Sequence, residues 1–113
     1  MTSKTPLQTT SRPQTELLLS GNSIYLDTGQ EKGTVLYYGA SWEVRVLHAS
    51  GKRDTGKWTL LDDGSYCIDW VEGPKGSCSR IHWYAGTIQI FNLAGEPRGR
   101  VVKIVPGLVH ELM

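Results

Sequence analysis

From Gly21 onward, apolar and polar residues alternate with a period of two in short segments separated by turn residues such as Gly, Asp and Asn. This alternation is typical of half-buried β-strands. Eight segments follow it, near residues 23–26, 34–38, 42–48, 57–61, 66–71, 77–84, 87–92 and 100–105. The chain is therefore predicted to be all-β, a single small antiparallel up-and-down β-barrel of about eight strands, because closure removes exposed strand edges.

The segment before Gly21 has a different character. Residues 1–14 consist mostly of Thr, Ser, Pro, Lys and Gln, and are predicted to be a disordered tail because they bury too little to offset the entropy of ordering. Residues 15–20 predict a short helical turn that Gly21 ends and that plugs one end of the barrel. The barrel domain is predicted to span residues 15–113, and the chain has the length for one hydrophobic core.

Turn residues predict how neighbouring strands pair. The run Asp62-Asp63-Gly64 indicates a three-residue hairpin loop with a bulge, which places Trp58 opposite Ile68. The turn at Ala85-Gly86 places Trp83 beside Ile88. The apolar residues of successive hairpins then share one inner face, predicted to comprise Trp42, Val44, Val46, His48, Trp58, Leu60, Tyr66, Ile68, Trp70, Ile81, Trp83, Ile88 and Ile90.

The hairpin around residues 72–76 places Cys67 directly opposite Cys78. Directly opposed residues in antiparallel strands have Cβ atoms about 4.5–5.5 Å apart, close to the separation in a disulfide. A disulfide between them indicates an oxidising compartment, so the protein is predicted to be periplasmic or secreted. A free thiol pair is the alternative, and two cysteines are too few for a four-ligand zinc site.

Four tryptophans in a chain of this size invite a functional interpretation. An eight-stranded barrel either fills itself with side chains or holds one small ligand. The predicted ligand-binding residues are Tyr37, Trp42, Trp58, Tyr66, Trp70 and Trp83, which suit a small hydrophobic or aromatic molecule. The alternative is that these rings are simply the barrel's core.

Candidates for other chemistry are few. His48 is the titratable inner-face residue that could transfer a proton near neutral pH, so His48 and Tyr66 are the candidate catalytic residues. No motif indicates a metal site or a cofactor. The basic run Arg98-Gly99-Arg100 is interpreted as a solvated turn.

Charge and hydropathy indicate which classes of binding partner are not expected. The 12 basic and 11 acidic residues give a net charge of +1, without the basic surface expected for nucleic-acid binding. No apolar run approaches the roughly 20 residues that cross a bilayer, so no membrane insertion is expected. Residues 1–6 lack the apolar core of a secretory signal, so either the protein has no signal or a removed signal was replaced by a methionine. The oligomeric state stays open, with a homodimer as one option.

The cysteine and tryptophan pattern resembles a family of small, usually exported bacterial domains of unknown function. These domains have a Gly-x-Trp, an Asp-Gly turn, and a Cys-x-x-Trp followed by a second Cys across a hairpin. The matching residues here are Gly56-Lys57-Trp58, Asp63-Gly64, Cys67-Ile68-Asp69-Trp70 and Cys78. The resemblance implies a small β-barrel and no particular activity. A looser similarity links the chain to calycin barrels of the lipocalin and streptavidin kind, whose Gly-x-Trp lies in the first strand instead of a middle one.

Three functions are compatible with these features. The first is a barrel that binds a small hydrophobic or aromatic ligand, or an accessory module. The second is a cofactor-independent barrel enzyme, a lyase, isomerase or cyclase, in which His48 and interior tyrosines transfer a proton. The third is a structural or protein-interaction domain with a packed interior. A cavity and its lining distinguish among the three.

Overall fold

The computed structural model describes residues 8–113, and its architecture is a closed eight-stranded antiparallel β-barrel with one extra strand and one short helix. The elements are β1 (Gln8–Thr9), α1 (Arg12–Leu19), β2 (Asn22–Asp27), β3 (Thr34–Tyr38), β4 (Glu43–Leu47), β5 (Arg53–Leu60), β6 (Tyr66–Trp70), β7 (Ser77–Tyr84), β8 (Thr87–Asn92), β9 (Pro97–Pro106) and a C-terminal 3-10 turn (His110–Leu112). The predicted all-β barrel of eight strands is confirmed. Among residues 8–113, no helix has the length and apolar character needed to cross a bilayer.

Each strand from β2 to β9 pairs with its neighbours in the chain, and β2 pairs with β9 to close the barrel. In this up-and-down topology, successive connections lie at opposite ends of the barrel. We call the end formed by residues 28–33, 48–52, 71–76 and 93–96 the open end. The end formed by residues 39–42, 61–65 and 85–86 is the closed end.

The predicted registers are confirmed. Trp58 pairs with Ile68, and Trp83 pairs with Ile88. Gly64 has a φ of 88°, the left-handed conformation that the three-residue loop requires. Cys67 pairs with Cys78 and forms the predicted disulfide, which is consistent with an oxidising compartment.

The helix α1 lies at the closed end and begins earlier than residue 15. Ser11 caps it, because its hydroxyl accepts from the Gln14 amide while the Gln14 side chain accepts from the Ser11 amide. Residues 8–14, assigned above to the tail, therefore form β1 and the first part of α1, whereas residues 1–7 lie outside the described residues. Buried Leu19 packs into the core, as expected for a plug.

The helix is fixed to the β5–β6 turn by a buried hydrogen bond. The hydroxyl of Thr15 donates to the Gly64 carbonyl over 2.6 Å. A Cβ at Gly64 would lie 2.0 Å from the Thr10 carbonyl oxygen, so only glycine allows the N-terminal segment to approach this closely. The closed half of the barrel is consequently filled by tightly packed side chains, among them Leu19, Ile24, Val44, Trp58 and Ile81, each at most 2% exposed.

Candidate functional site

The open end leads into a cavity of about 290 Å³ inside the barrel. Six of the eight barrel strands, all except β4 and β5, supply its lining together with the loops after β2 and β4, so the barrel wall itself shapes the cavity. The lining residues are Leu26, Thr28, Thr34, Leu36, Tyr38, His48, Tyr66, Ile68, Trp70, Ser77, Ser79, Ile90 and Arg98. At about 30 Å³ of liquid volume per water, the cavity has space for roughly ten non-hydrogen atoms.

Two tyrosines form the inner part of the cavity. The hydroxyl oxygens of Tyr38 and Tyr66 are 3.5 Å apart, and their rings meet edge to face with centroids 5.6 Å apart. Burial raises the pKa of Tyr38 well above its ordinary value and also raises the pKa of Tyr66. Both phenols are therefore neutral near pH 7, and each can donate or accept a hydrogen bond.

Arg98 lies at the mouth, where its guanidinium donates to the Ser77 hydroxyl over 3.2 Å. Its position follows from an irregularity in the β8–β9 ladder. Ile90 pairs with Gly99, but Phe91 pairs with Pro97, so Arg98 is the extra residue of a β-bulge. A bulge changes the direction of a side chain, and here it brings Arg98 to the cavity.

The lining combines apolar walls with polar groups and one fixed positive charge. Of the residues that the structure describes, no Asp or Glu lines the cavity. Burial is the main cause of the raised pKa of Tyr38 and Tyr66, and the Arg98 charge opposes this increase at both. Within residues 8–113, no three His, Cys, Asp or Glu side chains cluster in a way that could hold a metal ion.

The structure distributes the predicted aromatic wall over three environments. Tyr66 and Trp70 line the cavity. Trp58 is 2% exposed in the closed half, where its indole Nε1 donates to the Gly39 carbonyl over 3.0 Å. It is a core residue and not part of the cavity lining.

Three other predicted ligand-binding residues lie outside the cavity lining. Trp42 has a φ of 72° in the turn before β4 and is 41% exposed, so it stands at the closed end and contacts Trp58. Trp83 is 40% exposed at the same end. Tyr37 lies between the cavity residues Leu36 and Tyr38, so the alternation of a strand directs it to the outer face.

His48 lies at the mouth, as an inner-face position at a strand end predicts, but its side chain is exposed. It shares the cavity with Tyr66, the other candidate catalytic residue. Among the described residues, no side-chain hydrogen bond orients the His48 imidazole. A base held by a partner is therefore not part of this site as the structure shows it.

Sequence reasoning missed Tyr38, Ser77, Ser79 and Arg98 as site residues. The period-two pattern could have included Tyr38, because Leu36 and Tyr38 alternate on the face that pairs with Val46 and Val44. The interpretation of Arg98 as a turn residue is wrong, because Arg98 belongs to β9 and lines the cavity mouth, although it is solvent-exposed as expected. Its Pro-Arg-Gly context indicates a turn, and nothing in the sequence marks a bulge there.

A second concavity lies outside the barrel, between α1 and the closed-end turn of β7 and β8. We call it the outer groove. It has a volume of about 320 Å³, and its lining is mainly apolar, with Leu17, Leu18, Trp83 and Ile88. The Arg98 charge at the cavity has no counterpart there, because the polar side chains among the groove's described lining residues, Thr10 and Gln14, are uncharged.

Comparisons with known proteins found no family model, no curated protein and no solved structure that matches this chain. The resemblance to small exported bacterial domains stays a prediction.

Proposed function

We propose that this barrel binds a small molecule with an aromatic or apolar body in the cavity at its open end. The observation that carries the proposal is the unequal filling of the interior. Side chains pack the closed half, whereas the other half leaves about 290 Å³ between Leu36, Tyr66, Ile68, Trp70 and Ile90. Binding sites for small molecules are concave and mostly apolar, with a few polar groups that orient the ligand.

The lining supports binding over catalysis. A barrel enzyme of the lyase, isomerase or cyclase kind needs a proton acceptor in contact with its substrate. Tyr66 is a poor proton acceptor, because burial raises the pKa of its phenol and the phenol therefore stays protonated near pH 7. His48 is exposed at the mouth without an orienting side-chain partner among residues 8–113. The third function considered, a structural or protein-interaction domain, requires a fully packed interior, and only the closed half of the barrel has one.

We also propose that the protein is exported to the periplasm or secreted by a bacterium. The Cys67–Cys78 disulfide supports this assignment, because such bonds persist in oxidising compartments. The calycin-like character of the domain belongs to the same proposal and is supported by the closed up-and-down barrel.

Indole, a neutral aromatic probe of nine non-hydrogen atoms, tests the binding proposal by titration calorimetry. For so small a ligand we expect a Kd of about 0.1–1 mM. The variant Leu36→Phe adds volume inside the cavity and should weaken indole binding about tenfold. The variant Leu17→Phe makes the same exchange in the outer groove, where Leu17 is 81% exposed, and should leave the affinity unchanged.

Thermal unfolding confirms that both variants are folded, and Ser77→Leu at the mouth replaces Leu36→Phe if that variant does not fold. The proposal is wrong if Leu17→Phe weakens binding and the cavity variants do not, because the outer groove is then the binding site. Absence of binding by the wild-type protein to indole and to other aromatic probes of this size also contradicts it.

A further inference from the structure

We propose that the ligand carries a carboxylate, which Arg98 binds at the mouth of the cavity while the apolar body of the ligand lies against Tyr66, Ile68 and Trp70. This inference rests on the proposed function and names the ligand class of the same cavity: a small aromatic or aliphatic monocarboxylate. Three observations support it.

The first observation is the charge of the lining. Arg98 brings a permanent positive charge to a cavity in which no described residue supplies a carboxylate. Three other arginines, Arg12, Arg80 and Arg100, each form an ion pair with an aspartate. Arg98 instead donates only to the neutral Ser77 hydroxyl among residues 8–113, so its guanidinium retains donors for an anion.

The second observation is the backbone that presents Arg98. Val101 packs against the core, and a Cβ added at Gly99 would lie 3.3 Å from the Leu26 Cβ. Both residues are therefore on the inner face. Strict alternation would direct Arg98 outward. The bulge against β8 reverses this, and bulges that redirect a side chain are frequent beside functional sites.

The third observation is a buried polar atom beside the same mouth. The Thr28 hydroxyl oxygen is buried and has no hydrogen-bond partner among the described residues. Thr28 lines the cavity, and a Cβ added at Gly99 would lie 3.4 Å from the methyl group of Thr28. A buried hydroxyl without a partner is costly, so Thr28 places an unsatisfied polar group next to the mouth.

The chemistry of these groups selects a carboxylate. A guanidinium binds a carboxylate through two parallel N–H···O bonds, and the Ser77 hydroxyl, which accepts from Arg98, can donate a further bond to the same oxygens. The volume for roughly ten non-hydrogen atoms leaves space for one ring and a short acid chain. Phenylacetate has ten non-hydrogen atoms and matches this description.

The test compares phenylacetate with phenylacetamide, a neutral molecule of the same shape. By titration calorimetry at low ionic strength, the wild-type protein should bind phenylacetate about tenfold more tightly than phenylacetamide. The variant Arg98→Gln should abolish this preference, because it weakens phenylacetate binding about tenfold more than phenylacetamide binding. Arg53→Gln, which removes an exposed arginine outside the cavity lining, should retain the preference.

Each outcome separates the two proposals. Equal affinity of the wild-type protein for both probes overturns the carboxylate inference and leaves the binding function standing. A preference that survives Arg98→Gln overturns the role of Arg98. If indole and both probes fail to bind, the proposed function and this inference fail together.

Discussion

The individual tryptophans show how one residue type takes different roles in a small barrel. Trp58 is 2% exposed, contacts Tyr38 edge to face with ring centroids 5.5 Å apart, and donates to the buried Gly39 carbonyl. Trp83, which lines the outer groove, is 40% exposed. Burial and hydrogen bonding therefore make Trp58 a stability residue, whereas Trp83 contributes little.

We expect Trp58→Phe to lower the free energy of unfolding by about 2 kcal/mol, because it removes the indole hydrogen bond and leaves both a void and an unsatisfied carbonyl. The matched exchange Trp83→Phe should change it by less than about 0.5 kcal/mol. Urea denaturation of the three proteins measures the difference. Equal effects of the two substitutions would show that the assigned burial is wrong.

At this scale the sequence predicts which face a strand residue occupies better than how exposed that residue is. Alternation places Tyr66, Ile68 and Trp70 inward, as the structure shows. It also places Trp42 inward, but a positive φ turns that residue away before the strand begins. Such a conformation is rare for a non-glycine residue, so pattern reasoning does not anticipate it.

Among the elements, hairpins are the part that the sequence determines most fully. The Asp62-Asp63-Gly64 loop and the Ala85-Gly86 turn each predict a register that the structure reproduces. The β6–β7 hairpin adds the Cys67–Cys78 disulfide across its paired strands. The helix start was harder to predict, because the Ser11 cap lies in a segment with almost no apolar residues.

The disulfide should stabilise the barrel mainly by restricting the unfolded chain. For a separation of 11 residues, we expect the double variant Cys67→Ser, Cys78→Ser to lose up to about 3 kcal/mol of unfolding free energy. Denaturation of the wild-type protein with a reducing agent should give the same loss, and the double variant should not respond to the reducing agent. A wild-type protein insensitive to reduction under unfolding conditions would contradict this role.

The whole molecule is a barrel with two different ends. The sequence predicts the number of strands and the closed topology, because both depend on local alternation and on turns. Which half of the interior is filled depends on where α1 docks and on how far the strands extend. The start of β9 at Pro97 and its bulge at Arg98 bring a positive charge to the mouth of the cavity. The sequence predicts neither feature, because Pro-Arg-Gly indicates a turn.

Nuclear Overhauser contacts between bound phenylacetate and the methyl groups of the protein test most directly whether the barrel cavity is the binding site. Binding in the cavity should give contacts from the phenyl ring to Leu36, Ile68 and Ile90, which line it. Contacts to Leu17, Leu18 and Ile88 of the outer groove, without any to the cavity methyls, would contradict it.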